Sequence, residues 1–187
     1  YLELVEAIAI SSDNRLLASG ESGYVKLWDI ESRKLLSVFE TIRFPGVPMG
    51  VSVRSLAISS DNRLLAAGSF NTSKVMLWNI KDNNKSTINT LLSQITAVAF
   101  SPDSKLLAIG GLEGLELWDM QTKKEVQLDG ELVPVYSIAF SSDGELLLSG
   151  GENKIVHIWD LKKLKVIDKL IQPSAVNHLA LSSDGRC

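Results

Sequence analysis

The side chains that could perform chemistry in this chain are few, and their spacing fits no common catalytic arrangement. The chain has two histidines, His157 and His178, and one cysteine, Cys187. None of them lies in a Cys-x-x-Cys or His-x-x-x-His spacing, which would favour a metal site. No nucleophile lies beside a base, and no pair of carboxylates is placed to face one cleft. The sequence therefore predicts no catalytic residue, no metal site and no cofactor, and it favours a protein that is not an enzyme.

Aspartates recur along the chain, and they would suit a cation site only if they met in one place. Five of them lie between 40 and 48 residues apart: Asp13, Asp61, Asp103, Asp143 and Asp184. Each is followed by Asn, Ser or Gly. Aspartate caps turns with its side-chain oxygens, and Asn and Gly tolerate the positive φ that hairpin turns require. We therefore interpret these aspartates as turn residues rather than as calcium ligands.

These turns belong to a sixteen-residue pattern that returns five times, at 5–20, 53–68, 95–110, 135–150 and, truncated, at 176–187. Each complete copy reads as an apolar strand, a turn and a second strand that ends in glycine. No helix follows these glycines, so they offer no helix N-terminus to a phosphate group. A third and a fourth strand then complete a unit of four antiparallel strands.

A tryptophan in the third strand of each unit carries a family resemblance. The motifs are Leu27-Trp28-Asp29, Leu77-Trp78-Asn79, Leu117-Trp118-Asp119 and Ile158-Trp159-Asp160. In them the sequence resembles the WD-repeat β-propeller family over nearly its whole length. The resemblance implies an all-β propeller of four-stranded antiparallel blades at about 5–47, 53–92, 95–132 and 135–172, with a partial unit at 176–187.

The chain departs from the family pattern around the tryptophan. The Gly-His pair that often precedes the first strand is absent from the four complete units. The turn position six residues before the tryptophan, an aspartate in the family, holds Ser22, Thr72, Leu112 and Asn153. In the family this histidine and this aspartate join a Ser or Thr and the tryptophan in a hydrogen-bonded set; here the buried indole N–H still needs an acceptor, which the sequence does not identify. One column of the third strand varies freely, and we expect it to be largely exposed: Lys26, Met76, Glu116 and His157.

The number of blades leaves three arrangements open. Four complete units and one extra first strand fill the chain, which begins at Tyr1 and stops inside a repeat. The favoured expectation is a piece of a larger propeller, cut or processed from a longer chain. The alternatives are a homodimer that closes an eight-bladed ring and the closure of four blades alone.

Charge and composition limit the partners. A net charge of −3 and a pI of about 5.4 argue against nucleic acid. No apolar run is long enough to span a membrane, and a single cysteine cannot form an internal disulfide, which favours the cytoplasm. Basic turns at one end of the blades are diluted by acidic neighbours, and we interpret them as a solvated face: Arg33, Lys34, Lys81, Lys85, Lys123, Lys124, Lys162 and Lys163.

Partner contacts are expected where exposed positions vary on a constant framework. The second position of each first strand varies, and the resemblance places it at the rim of the central channel: Glu6, Arg54, Thr96, Tyr136 and Asn177. Arg43 and Phe44 lie in the longest connection between units, and Phe70 lies in a turn expected on the same rim. Packing between blades would explain the varying column equally well, and Phe44 would equally well fold under its own loop.

The function that the resemblance implies is a non-catalytic scaffold for protein or peptide recognition through the propeller loops. Two alternatives stay open. One is a sensor or regulatory propeller within a larger multidomain enzyme such as an NTPase or kinase, and the other is a self-assembling structural ring. The sequence does not identify the partner.

Overall fold

The computed structural model describes residues 4–41, 51–130 and 133–182. Over these ranges it contains sixteen strands and no helix, so none of the described residues forms a helix that could cross a membrane. The strands are β1 (Ala7–Ile10), β2 (Leu16–Glu21), β3 (Tyr24–Asp29), β4 (Lys34–Glu40), β5 (Val53–Ile58), β6 (Leu64–Ser69), β7 (Lys74–Asn79), β8 (Lys85–Asn89), β9 (Ile95–Phe100), β10 (Leu106–Gly111), β11 (Gly114–Asp119), β12 (Lys124–Val126), β13 (Val135–Phe140), β14 (Leu146–Gly151), β15 (Ile155–Asp160) and β16 (Lys165–Ile171).

The strands form four antiparallel sheets of four consecutive strands each. We call them blades 1 to 4, in chain order. In every blade the strands lie in sequence order, so each strand pairs with the next along the chain. The predicted all-β fold of four-stranded antiparallel blades is therefore confirmed.

The turn between the first and second strands of each blade is built by a buried serine and the recurrent aspartate. In blade 2 the Ser59 hydroxyl donates to Asp61 Oδ1 at 2.6 Å and accepts the amide of Leu64 at 2.9 Å. Asn62 follows with φ of 58°, a conformation that asparagine tolerates. The same serine-to-aspartate bond recurs at 2.6 Å in blades 1, 3 and 4. The turn interpretation is thus confirmed for four aspartates, and Asp184 lies outside the described residues.

Neighbouring blades meet where a branched side chain of one blade packs against a glycine of the preceding blade. A Cβ built on the glycine would lie 2.5 to 2.7 Å from that side chain at every junction. The pairs are Gly20 with Val53, Gly68 with Ile95, Gly110 with Val135 and Gly150 with Val176. Because no Cβ fits at this distance, glycine is required here by close approach rather than by backbone conformation. The fifth unit docks on blade 4 through the same contact, although residues 172–182 form no strand.

The third strand of a blade is covered on both faces, one by each neighbouring blade. In blade 2, Met76 and Trp78 share an apolar cluster with blade 1 residues such as Phe39. The other face of the strand, Val75 and Leu77, shares a cluster with blade 3.

The expectation that the varying column of the third strand is exposed is therefore wrong. Met76, Glu116 and His157 are 0, 5 and 2% exposed, and Lys26 is half-buried. The reason is that blades stack face to face, so a column that points away from one neighbour points into the other. Within the described residues blade 1 has a neighbour on one side, which is why Lys26 is the least buried member.

The face of blade 1 that carries Lys26 also exposes apolar side chains of its first strand, because Ile8 pairs with Ser19 and Ser19 pairs with Lys26. Ile8 in β1 is 64% exposed, whereas its counterpart Leu56 in blade 2 is 7% exposed. Ile10 is exposed as well, at 55%. The side chains that cover a preceding blade in blades 2 and 3 thus face solvent in blade 1.

Candidate protein interaction site

The predicted rim positions lie where the first strands of the blades begin. Glu6 precedes β1, and Arg54 and Tyr136 are the second residues of β5 and β13. Consecutive first strands contact one another, β1 with β5, β5 with β9 and β9 with β13. The fold therefore places side chains from different blades next to each other at this end of the strands.

Three of the predicted residues meet between blades 1 and 2. The Arg54 Nε lies 3.4 Å from Glu6 Oε2, and the Arg54 Cζ lies 5.2 Å from the centroid of the Phe70 ring. The Ser52 hydroxyl donates to the same Glu6 oxygen, and the Phe70 amide donates to the Ser52 carbonyl at 3.2 Å. We call these four residues, Glu6, Ser52, Arg54 and Phe70, the rim cluster.

The rim cluster holds an arginine in place without burying it. The Arg54 side chain is 53% exposed and that of Glu6 is 24% exposed. An exposed ion pair contributes about 1 kcal/mol or less, so another carboxylate can replace Glu6 at small cost. The Phe70 ring restricts the guanidinium through a cation–π contact. The cluster can therefore offer Arg54 donors to a partner's carboxylate or carbonyl groups.

The remaining predicted positions lie apart from the rim cluster. The Tyr136 hydroxyl donates to Glu152 Oε2 at 3.4 Å. The pKa of this phenol is raised, mainly by partial desolvation and to a smaller extent by the negative charge of Glu152. The Thr96 hydroxyl contacts the carbonyls of Gly110 and Val135, so this member of the column packs between blades. Asn177 is exposed.

The longest connection carries the other two predicted contacts, and Arg43 and Phe44 lie outside the described residues. The role of every predicted contact residue in binding a partner stays a prediction. Sequence reasoning missed Ser52 and Glu152. Ser52 lies two residues before Arg54, which is a weak signal, whereas Glu152 lies sixteen residues after Tyr136 and is brought to it by the fold.

Comparison with known families agrees with this architecture. A family model described as "WD domain, G-beta repeat" matches residues 3–29, 47–79, 85–119 and 122–160, which is more than half of the chain. The chain belongs to the WD-repeat family. No curated protein matches it. WD-repeat domains generally serve as scaffolds for protein interactions and are generally non-catalytic.

Two WD-repeat tryptophans of this chain donate to a serine of the second strand, and a third donates to a carboxylate. Trp28 Nε1 donates to Ser19 Oγ at 3.1 Å, and Trp159 Nε1 donates to Ser149 Oγ at 2.9 Å. These serines occupy the same position of the second strand. Blade 3 has Ile109 there, and Trp118 Nε1 instead donates to Glu116 Oε2 at 2.8 Å.

Glu116 also links two WD repeats. Its Oε1 accepts the amide of Leu91, in the connection between blades 2 and 3, at 2.7 Å. Burial raises the pKa of this carboxyl, and the hydrogen bonds from Trp118 and Leu91 act in the opposite direction. The two bonds give this buried acid a structural role. Among the residues described, no group of three His, Cys, Asp or Glu side chains is arranged to hold a metal ion.

Proposed function

We propose that this WD-repeat protein is a non-catalytic scaffold that recognises a protein or peptide through the rim cluster. The observation that carries the proposal is the meeting of Glu6 and Arg54, from different blades, beside Phe70. Arginine is enriched among the residues that dominate binding energy, and phenylalanine is enriched in protein interfaces relative to the rest of the surface. A cytoplasmic location is part of the proposal and rests on the single cysteine.

The mechanism is exchange of one carboxylate for another on a rigid support. Arg54 is already restricted by Phe70, so binding orders few additional side-chain rotamers. A partner carboxylate takes the place of Glu6 at the guanidinium, and apolar atoms of the partner pack on the exposed part of Phe70. Acidic peptides should therefore bind better than basic ones.

Selection of peptides from a displayed library on the whole chain tests this proposal. We expect selected peptides to lose at least tenfold in affinity when Arg54→Ala or Phe70→Ala is introduced. The matched control is Arg63→Ala, because Arg63 is an exposed arginine paired with Asp61 at 3.8 Å in the hairpin turn of the same blade. Peptides that bind all three variants as well as the original chain would contradict the rim site.

A second candidate is the homodimer that closes an eight-bladed ring, and the exposed Ile8 and Ile10 favour it. A second copy would have to place its Val5, the counterpart of Val53, on Gly150, where Val176 of the same chain already lies. We therefore expect removal of 173–187 to strengthen dimerisation. Light scattering during size-exclusion chromatography, over a concentration series, measures the mass of both chains. A monomer in both cases would reject this candidate.

A further inference from the structure

A cavity of about 330 Å³ lies between blades 2 and 3, on the side of the outer strands. It is separate from the rim cluster and shares no residue with it. We call it the Trp118 groove, and its lining residues are Leu77, Ser86, Thr87, Ile88, Asn89, Trp118 and Lys123. Four of these are consecutive residues of β8, so the cavity follows the outer strand of blade 2.

The groove exists because one side chain is smaller than its counterpart in the preceding blade. In blade 1, Phe39 pairs with Val25 and its ring lies 5.3 Å from that of Trp78 in blade 2. In blade 2, Ile88 pairs with Val75 in the equivalent register. Isoleucine lacks the aromatic ring that would reach the tryptophan of blade 3. The junction between blades 1 and 2 therefore shows what fills such a space.

Among the tryptophans of blades 2, 3 and 4, Trp118 is the most exposed. Trp78 and Trp159 are 2 and 4% exposed, whereas Trp118 is half-buried. Gly130 packs directly against the indole of Trp159 and fills the space beside it. The contact is so close that a Cβ on Gly130 would lie 2.3 Å from the indole. The indole face at blade 3 is thus available to an aromatic side chain from outside.

Two further features of the groove suit an extended acidic chain. Among the strands that the structure describes, β8 is the last of its sheet, and β7 alone pairs with its backbone. An edge strand of this kind can accept an additional strand through its free N–H and C=O groups. Lys123 lines the cavity and brings a cationic group to it, with burial lowering the pKa of its amine.

We propose that the Trp118 groove binds an extended segment of a partner protein, which pairs with the free edge of β8. The segment inserts an aromatic side chain beside Trp118 and places a carboxylate, two residues away on the same strand face, against Lys123. Side chains alternate along a strand, so a spacing of two keeps both groups on the groove side. The site would let the scaffold hold a second partner independently of the rim.

The probe is the fluorescein-labelled peptide Thr-Asp-Thr-Phe-Thr-Asp-Thr, whose two aspartates serve either strand direction. Fluorescence anisotropy with the whole chain measures its affinity. We expect replacement of the phenylalanine by alanine to weaken binding at least tenfold. Absence of measurable binding, or equal binding of the alanine peptide, would overturn the proposal.

Protein variants assign the binding to the groove. Ile88→Phe should fill the cavity with the chain's own ring, as Phe39 does in the previous junction, and should abolish binding. The control is Val38→Phe, which adds the same ring at an exposed position of β4 and should leave binding unchanged. Arg54→Ala should also leave it unchanged, which separates this site from the rim cluster. Equal binding by Ile88→Phe would refute the groove.

The ion pair with Lys123 can be tested even if Ile88→Phe prevents the chain from folding. Lys123→Gln should weaken binding of the aspartate peptide about threefold, the size expected for a partly exposed ion pair. A peptide with asparagine in place of both aspartates should bind this variant and the original chain with equal affinity. Equal losses for both peptides would mean that Lys123 does not pair with the carboxylate.

Backbone methylation tests the strand pairing itself. In an added strand, alternate amides face the edge of β8, so methylation of one amide should abolish binding and methylation of the next should not. Equal effects at adjacent amides would show that the peptide does not add to the sheet.

Discussion

The contact between Gly110 and Val135 offers a direct test of how the blades are joined. A Cβ on Gly110 would lie 2.7 Å from Val135 Cγ1 and 3.0 Å from Ile138 Cδ1. Overpacking of this kind costs about 1–3 kcal/mol, and alanine recovers about 0.5–1 kcal/mol through the lower entropy of the unfolded chain. We therefore expect Gly110→Ala to lower the free energy of unfolding by about 1–2 kcal/mol.

A substitution on the other side of the contact, at Val135, tests whether the cost at Gly110 comes from this contact. Val135 is buried, and Val135→Ala removes two methyl groups, which should cost about 2–3 kcal/mol including the cavity that remains. In the double variant the new Cβ at position 110 enters the space that Val135 Cγ1 has left. The double variant should therefore be about as stable as Val135→Ala alone, an interaction of about 1–2 kcal/mol between the two sites.

Urea unfolding of the four chains measures this interaction, provided that the slope of the transition stays constant. The control is Gly144→Ala, because Gly144 has φ of +71° and its Cβ would lie 3.5 Å or more from its neighbours. Its cost, about 1 kcal/mol, comes from backbone conformation and should add to that of Val135→Ala. If Gly110→Ala and Val135→Ala also add, to within about 0.5 kcal/mol, the close-approach argument fails.

Three further outcomes follow from the turns. Ser59→Ala removes a buried hydroxyl that bonds a carboxylate and two amides, and thermal unfolding should show a loss of about 1–2 kcal/mol. Arg33→Asn should stabilise the chain by about 0.5 kcal/mol, because Arg33 has φ of 57° where blade 2 has Asn83. Hydrogen bonds from serine hydroxyls, the largest cause, hold the pKa of Asp103 and Asp143 below the usual range. Their contribution to stability is present above about pH 4 and is lost as the pH falls through the lowered pKa, so the unfolding midpoint should drop there.

Matched variants separate these effects from general damage. Ser60→Ala, next to Ser59 but with one long contact of 3.5 Å, should change stability little. Lys34→Asn, on the first residue of β4, should not stabilise as Arg33→Asn does. Asp103→Asn should flatten the acid limb of the stability profile, and an unchanged limb would exclude the turn carboxylates as its source.

Much of the fold could be predicted because its signals are local. The Ser-x-Asp turn needs a serine hydroxyl, an aspartate two residues later and a residue that accepts positive φ, and all three lie within four residues. The pairing of consecutive strands follows from such turns. Glu6, Arg54 and Phe70 were each recognised from their place in the repeat, but their meeting depends on how blade 1 contacts blade 2.

The sequence by itself determined the repeat, the strands, the turns and the absence of a catalytic pattern, because each depends on residues close together in the chain. The tertiary structure alone decided which columns are buried. Met76, Glu116 and His157 are polar and apolar side chains of one column, and neighbouring blades bury them all. It also decided that Trp118 is half-buried. Ile88 has no ring to cover it, which becomes apparent only when this junction is compared with the contact of Phe39 and Trp78 between blades 1 and 2. Burial between blades depends on surfaces about forty residues apart, which no local pattern records.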